Sequence, residues 1–172
     1  LELEFFQNKV FSFTVDGDKL VDMQTVIDDI PGAPWHDGGR IAFGPDEKLY
    51  ITTGDAVNPG LSQDLSSLAG KILRINPDGT IPDDNPFDSS VIFSYGHRNP
   101  QGIAWSNDGL LVSSEHGPSG EMGYGHDEIN VIVKGKNYGW PKVVGDSSDD
   151  SFVNPITHSG QTTWAPSGMV FY

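Results

Sequence analysis

The nine residues KILRINPDG, Lys71 to Gly79, decide the fold, because KVFSFTVDG, Lys9 to Gly17, carries the same pattern 62 positions earlier. In both, apolar and polar side chains alternate and the run breaks at Asp-Gly. Alternation sends successive side chains to opposite faces of a strand. Asp-Gly supplies the backbone freedom of a tight hairpin turn. Glu128-Ile129-Asn130-Val131-Ile132 is a weaker third copy.

A second motif shares the period. Ile41-Ala42-Phe43, a turn at Pro45-Asp46 and Leu49-Tyr50-Ile51 are matched by Ile103-Ala104-Trp105, a turn at Asp108-Gly109 and Leu110-Leu111-Val112, again 62 positions on. A third copy opens at Gly168-Met169-Val170-Phe171. Two motifs on one period define a unit of about four short strands with long connections, which is a propeller blade rather than a helical repeat. Helical periodicity is nearly absent; only Asp64 to Leu68 suits one short turn. The expected layout is the end of one blade over 1–30, a blade over 36–92, another over 95–160 and the start of the next over 164–172. A closed propeller takes typically 4–8 blades, so these read as part of a longer ring. A small open β domain complete in itself is the alternative.

Bulk properties fit an all-β globular chain. Hydrophobic residues make up 36% of the 172, with 21 glycines and 12 prolines, a turn-rich mixture unlike that of disordered chains. The 24 acidic and 10 basic residues leave a net charge of −14, which disfavours nucleic acid and anionic membranes as partners. There is no cysteine, so disulfide and thiol chemistry are excluded. No apolar run reaches membrane-spanning length.

Three loop segments concentrate unusual polar residues: Pro34 to Arg40, Gly96 to Gly102 and Ser114 to Pro118. The repeat places the first two before equivalent inner strands and the third after one, so all three are expected on one face around a central channel. His36 can act as a general base near neutrality, and a hairpin could bring Asp55 beside it to orient the ring. Taken alone, His36 reads more readily as a structural loop histidine. Arg98 offers a permanently charged planar fork for an anionic or carbonyl-rich ligand, and Asn99 and Gln101 add neutral donors and acceptors. A polar turn that merely ties loops together is the alternative for all three. The carbonyls of Gly117 and Pro118 could bind a hard cation, with Asp127 and Glu128 completing or supporting the site. Asp146, Asp149 and Asp150 read as a solvated loop. His97, His116 and His126 match no zinc spacing.

The stretches HDGGRIAFGPDEKLYITTGD (36–55), LAGKILRINPDGTIPDDNPF (68–87), YGHRNPQGIAW (95–105), SSEHGP (113–118) and DEINVIVKGKNYGWP (127–141) resemble the PQQ-dependent glucose/sorbosone dehydrogenases, which include the soluble aldose sugar dehydrogenases. The resemblance implies a six-bladed β-propeller with pyrroloquinoline quinone (PQQ) and calcium over its channel, this chain covering about three blades. It implies oxidation of an aldose at C1 to the lactone, an external electron acceptor, and a periplasmic or extracellular location. His36 matches the base, Asp55 its supporting carboxylate, and Arg98 and Asn99 residues that touch the quinone carbonyls. Gln101 and His116 match positions near the cofactor, and Asp127 an acidic position behind them. Gly117 and Pro118 match the carbonyls that bind calcium, and Glu128 and Tyr138 a separate structural calcium site. His116 stands where some relatives carry glutamine, and the Ser119–His126 loop is longer than theirs. A non-enzymatic propeller that binds carbohydrate or protein on the same face is the competing reading.

Overall fold

The computed structural model describes residues 6–118 and 125–172. It is all-β. A two-stranded antiparallel ribbon, β1 (Phe6–Asp16) and β2 (Lys19–Gly32), turns at the first Asp-Gly. A four-stranded meander follows: β3 (Ile41–Phe43), β4 (Leu49–Thr53), β5 (Lys71–Ile75) and β6 (Ile92–Tyr95). A second meander holds β7 (Pro100–Trp105), β8 (Leu111–Glu115), β9 (Glu128–Val131) and β10 (Thr157–His158). The repeated motifs fall on β1 and β5, and on the β3–β4 and β7–β8 pairs. The ribbon and the two sheets run a few residues differently from the expected blade limits, since β2 continues to Gly32 and β6 to Tyr95.

The middle sheet is covered on both faces, and this explains why every residue of β4 and β5 is buried. Leu49, Ile51, Leu73 and Ile75 pack with Ile30 of the ribbon and Ile92. On the opposite face Tyr50 and Ile72 pack with Ile103 and Leu111 of the second sheet and with Ile132 and Tyr138 of the connection after β9. The period-2 alternation thus feeds two hydrophobic layers, one on each side. The polar residues of β5 are paired. Lys71 is fully buried, and its Nζ donates to the carbonyls of Leu61, Ser62 and Ala69. Arg74 joins Asp46 and Asp84.

Two expectations are corrected. The one helical turn among the described residues is a 3-10 turn at Pro59–Gln63, not Asp64 to Leu68. Proline opens it, and the Asp64 carboxylate captures the Ser66 N–H and hydroxyl, which diverts the chain into a turn. Gly168–Phe171 forms no strand; the nearby Ser167 carbonyl is instead bound by the Ser114 hydroxyl at 2.7 Å. No helix among the described residues is long and apolar enough to cross a membrane.

The loop before β3 crosses the end of β4 at Gly54, where a Cβ would collide with the His36 carbonyl. Gly17, at φ 62°, has open space around it. Gly17→Ala is therefore expected to cost about 1 kcal/mol of backbone strain, and Gly54→Ala ~3 kcal/mol or more, a difference readable by urea unfolding.

Candidate active site

The loops after β4, before β7 and after β8 meet at one end of the sheets, joined to the loop before β3 by backbone hydrogen bonds. Asp55 N donates to Arg98 O at 2.7 Å, and His116 N to Asn99 O at 3.1 Å. Gly38 N donates to Asn99 Oδ1 at 3.0 Å. The expected convergence of the three polar segments is therefore present in the fold.

His36 lies in the left-handed region at φ 64°, its carbonyl held by Ala56 N at 3.1 Å. Its Nδ1 is 2.9 Å from Asp55 Oδ1. Asp55 is fully buried and also accepts from Val57 N at 2.9 Å and, through Oδ2, from Trp140 Nε1 at 2.8 Å. An ionised carboxylate only accepts, so Nδ1 donates and the neutral ring keeps its lone pair on Nε2. Nε2 has no hydrogen-bond partner among the described residues. His36 and Asp55 line a cleft of about 180 Å³ with Val57, Pro59, Arg98, Pro118 and Trp140.

Arg98 stacks over the Trp140 ring, its guanidinium carbon 5.4 Å from the centroid. One Nη donates to His116 O at 3.2 Å, while Nε is buried without a partner. Burial pulls its pKa down, and Asp55, Glu115 and Asp127 work against that. A buried, underused guanidinium donor beside a cleft suits an acceptor-rich anionic ligand.

Behind Arg98 the backbone is locked. The Glu115 carboxylate accepts from the N–H groups of Arg98 and Asn99 and from His97 Nδ1. His97 Nε2 lies 2.9 Å from the Ser94 hydroxyl, so both ring nitrogens of this histidine are used internally. Asn99 Oδ1 accepts from Gly38 N and from Gln101 Nε2. Asn99 and Gln101 thus tie loops together and do not line the cleft.

The remaining expected site residues sit around a second, water-sized cavity of about 10 Å³ lined by Arg98, Glu115, His116, Gly117, Pro118, Glu128 and Tyr138. His116 Nε2 donates to Pro166 O at 2.7 Å. Asp127, expected as an acidic position behind the cofactor contacts, accepts from Gly117 N, Trp164 N and Ala165 N at 2.8, 2.6 and 2.8 Å. The Tyr138 hydroxyl is likewise engaged, donating to Val131 O and accepting from Val133 N. Glu128 accepts from Gly145 N and Asn130 Nδ2. Burial, and then the charge of Glu115, pushes its carboxyl well above the usual range.

Arg98 with its unpartnered Nε fits PQQ, a planar quinone bearing carboxylates. The carbonyls of Gly117 and Pro118 accept no hydrogen bond among the described residues, and they are the hard oxygens calcium prefers. No three His, Cys, Asp or Glu side chains among the described residues gather into a metal-holding group. The extra length expected in the Ser119–His126 loop falls on residues 119–124, outside those described. Sequence reading missed Trp140 and Glu115 as site residues, although both lie inside the motifs GKNYGWP and SSEHGP.

Comparison with known proteins identifies the family. The family model for glucose/sorbosone dehydrogenase matches residues 4–172. The chain is 37% identical over 164 residues to quinoprotein glucose dehydrogenase B of Acinetobacter calcoaceticus, covering 83% of this chain and 33% of that protein. It is 44% identical over 136 residues to aldose sugar dehydrogenase YliI of Escherichia coli K12, covering 73% and 35%. The PQQ-bound aldose sugar dehydrogenase of Streptomyces coelicolor superposes with a TM-score of 0.88 at 42% identity, covering 95% of this chain and 49% of that one. The chain thus spans about a third to a half of the length of these relatives.

Asp127→Ala would strand three backbone N–H groups; the expected loss is ~3 kcal/mol or more by urea unfolding, at about 1 kcal/mol or more per orphaned donor. With its family model matched over residues 4–172, the chain belongs to the glucose/sorbosone dehydrogenase family.

Proposed function

We propose that the protein carrying this chain is a PQQ- and calcium-dependent aldose dehydrogenase, built as a six-bladed propeller, that oxidises the C1 hydroxyl of an aldose to the lactone. The observation that carries the proposal is the His36–Asp55 pair opening onto a cleft that also holds Arg98. A base oriented by a fully buried carboxylate, next to a cation with an unused donor, suits proton removal beside an anionic electron acceptor.

His36 Nε2 takes the proton of the C1 hydroxyl. Asp55 holds the ring in the tautomer that leaves Nε2 free, and stabilises the imidazolium once the proton arrives. Arg98 would hold the acceptor-rich edge of the cofactor and would stabilise negative charge there. When bound, PQQ supplies a two-electron acceptor for the C1 hydrogen, and calcium supplies a hard Lewis acid beside it. Gly117 and Pro118 would hold that calcium through their carbonyls. Asn99, Gln101 and His116 fix the loops around the cofactor, and Asp127 fixes Gly117 through its N–H. Glu128 and the backbone at Tyr138 would hold a separate structural calcium. Electrons leave to an external acceptor, and the protein works in the periplasm or outside the cell.

The test is reduction of an artificial electron acceptor by aldose, with PQQ and calcium added to the protein carrying this chain. His36→Ala is expected to lower turnover by about 10²–10⁴-fold while the absorbance change on PQQ binding persists. A variant that keeps the wild-type rate removes His36 as the base. Wild-type protein that gives no PQQ spectral change and returns the sugar unaltered would instead favour a binding module. Arg98→Lys, which loses both the fork and the stacking, is expected to weaken PQQ binding about tenfold or more in a spectral titration.

A further inference from the structure

Trp140 belongs to the GKNYGWP segment, and its connections reach further than packing. Its indole Nε1 donates to Asp55 Oδ2 at 2.8 Å across 85 positions of sequence. The same ring lies under the Arg98 guanidinium. It is buried, with 6% of its surface exposed, yet it lines the cleft. Its backbone is pinned on both sides, since its N–H donates to Gly96 O at 2.9 Å and its carbonyl accepts from Gln63 Nε2 at 2.6 Å. Gln63 is held in turn by a reciprocal amide pair with Asn137, at 3.0 and 2.9 Å.

Two rotations are open to a carboxylate facing His36. Val57 N fixes Oδ1, and the indole N–H fixes Oδ2, so the carboxylate plane is held at both oxygens. Without the indole donor, Oδ2 is buried and unpaired, and the group gains by turning toward another donor. Such a turn moves Oδ1 away from His36 Nδ1 and releases the tautomer.

We propose that Trp140 is a positioning residue for the reaction: its N–H fixes the Asp55 carboxylate that orients His36, and its ring seats Arg98. Both roles rest on the reading of His36 as base and Arg98 as cofactor contact. The two roles separate by substitution, because phenylalanine keeps an aromatic ring for Arg98 while it loses the donor together with the second ring, and benzothienylalanine loses the donor alone.

The test uses Trp140→Phe in the protein carrying this chain, with three readouts. Turnover with saturating aldose, PQQ and calcium is expected to fall on the order of ten- to a hundredfold, the effect of one lost buried hydrogen bond to a charged group. KM for the aldose and the affinity for PQQ are expected to stay within about twofold, since an aromatic ring remains under Arg98. In the protein without cofactor, the ¹⁵N shifts of His36 are expected to show a loss of the Nδ1–H tautomer. Trp140→Leu, which also removes the ring, is expected to weaken PQQ binding in addition.

Wild-type turnover with wild-type His36 shifts in Trp140→Phe would overturn the inference. A fall in turnover with unaltered His36 shifts would overturn it too, by reducing Trp140 to a packing residue. Should Trp140→Phe not fold, benzothienylalanine placed at position 140 removes the N–H and keeps the shape, and the same outcomes apply. An active His36→Ala variant would sink the base assignment instead, so the two failures are distinct.

Discussion

A carboxylate with no exposed surface must be compensated on every side, and Asp55 is compensated from three directions. His36 comes from the loop before β3, Val57 from two residues on, and Trp140 from the connection after β9. Burying a charge without partners costs far more than the fold can tolerate. The three loops therefore have to arrive together for the site to exist at all. The left-handed backbone at His36 and the absent side chain at Gly54 are what let the first loop come close enough.

The sheets make that meeting possible. Because β4 and β5 are buried on both faces, the middle sheet cannot slide by one residue without sending Tyr50 and Ile72 into the wrong layer. Its register fixes where β4 ends, and so where Asp55 stands. Equivalent connections of the two meanders then emerge at the same end, bringing Arg98 and Pro118 to the cleft that Asp55 lines.

Much of this is written locally. Period-2 alternation and Asp-Gly turns give the strands at Lys71–Ile75 and Lys9–Phe13 from a few adjacent residues. The 62-residue spacing then implies that equivalent loops share a face, which puts His36 and Arg98 at one site with Asp55 beside them. Trp140 was illegible in this way, since no local pattern ties it to a carboxylate 85 positions earlier. Glu115 was missed for a related reason: its partners are backbone N–H groups of another loop, and backbone leaves no mark in a sequence. Asp127 was legible as a supporting acidic position, but its three backbone N–H partners, two of them 37 and 38 positions on, were not. The helical turn moved to Pro59–Gln63 because Asp64 competes for its own backbone, a contest that composition does not rank.

Every backbone N–H and C=O of Gly96–Asn99 has a partner: Ser62, Trp140, Gly70, Asp55, Glu115 and His116 share them. A loop so fully subscribed has no spare valence. An inserted or deleted residue would misalign four connections at once, so this segment has almost no evolutionary latitude. Divergence in what such a site accepts must then enter elsewhere on its rim, at positions such as Val57 and Pro59, whose side chains border the cleft while the locked turn opposite stays as it is.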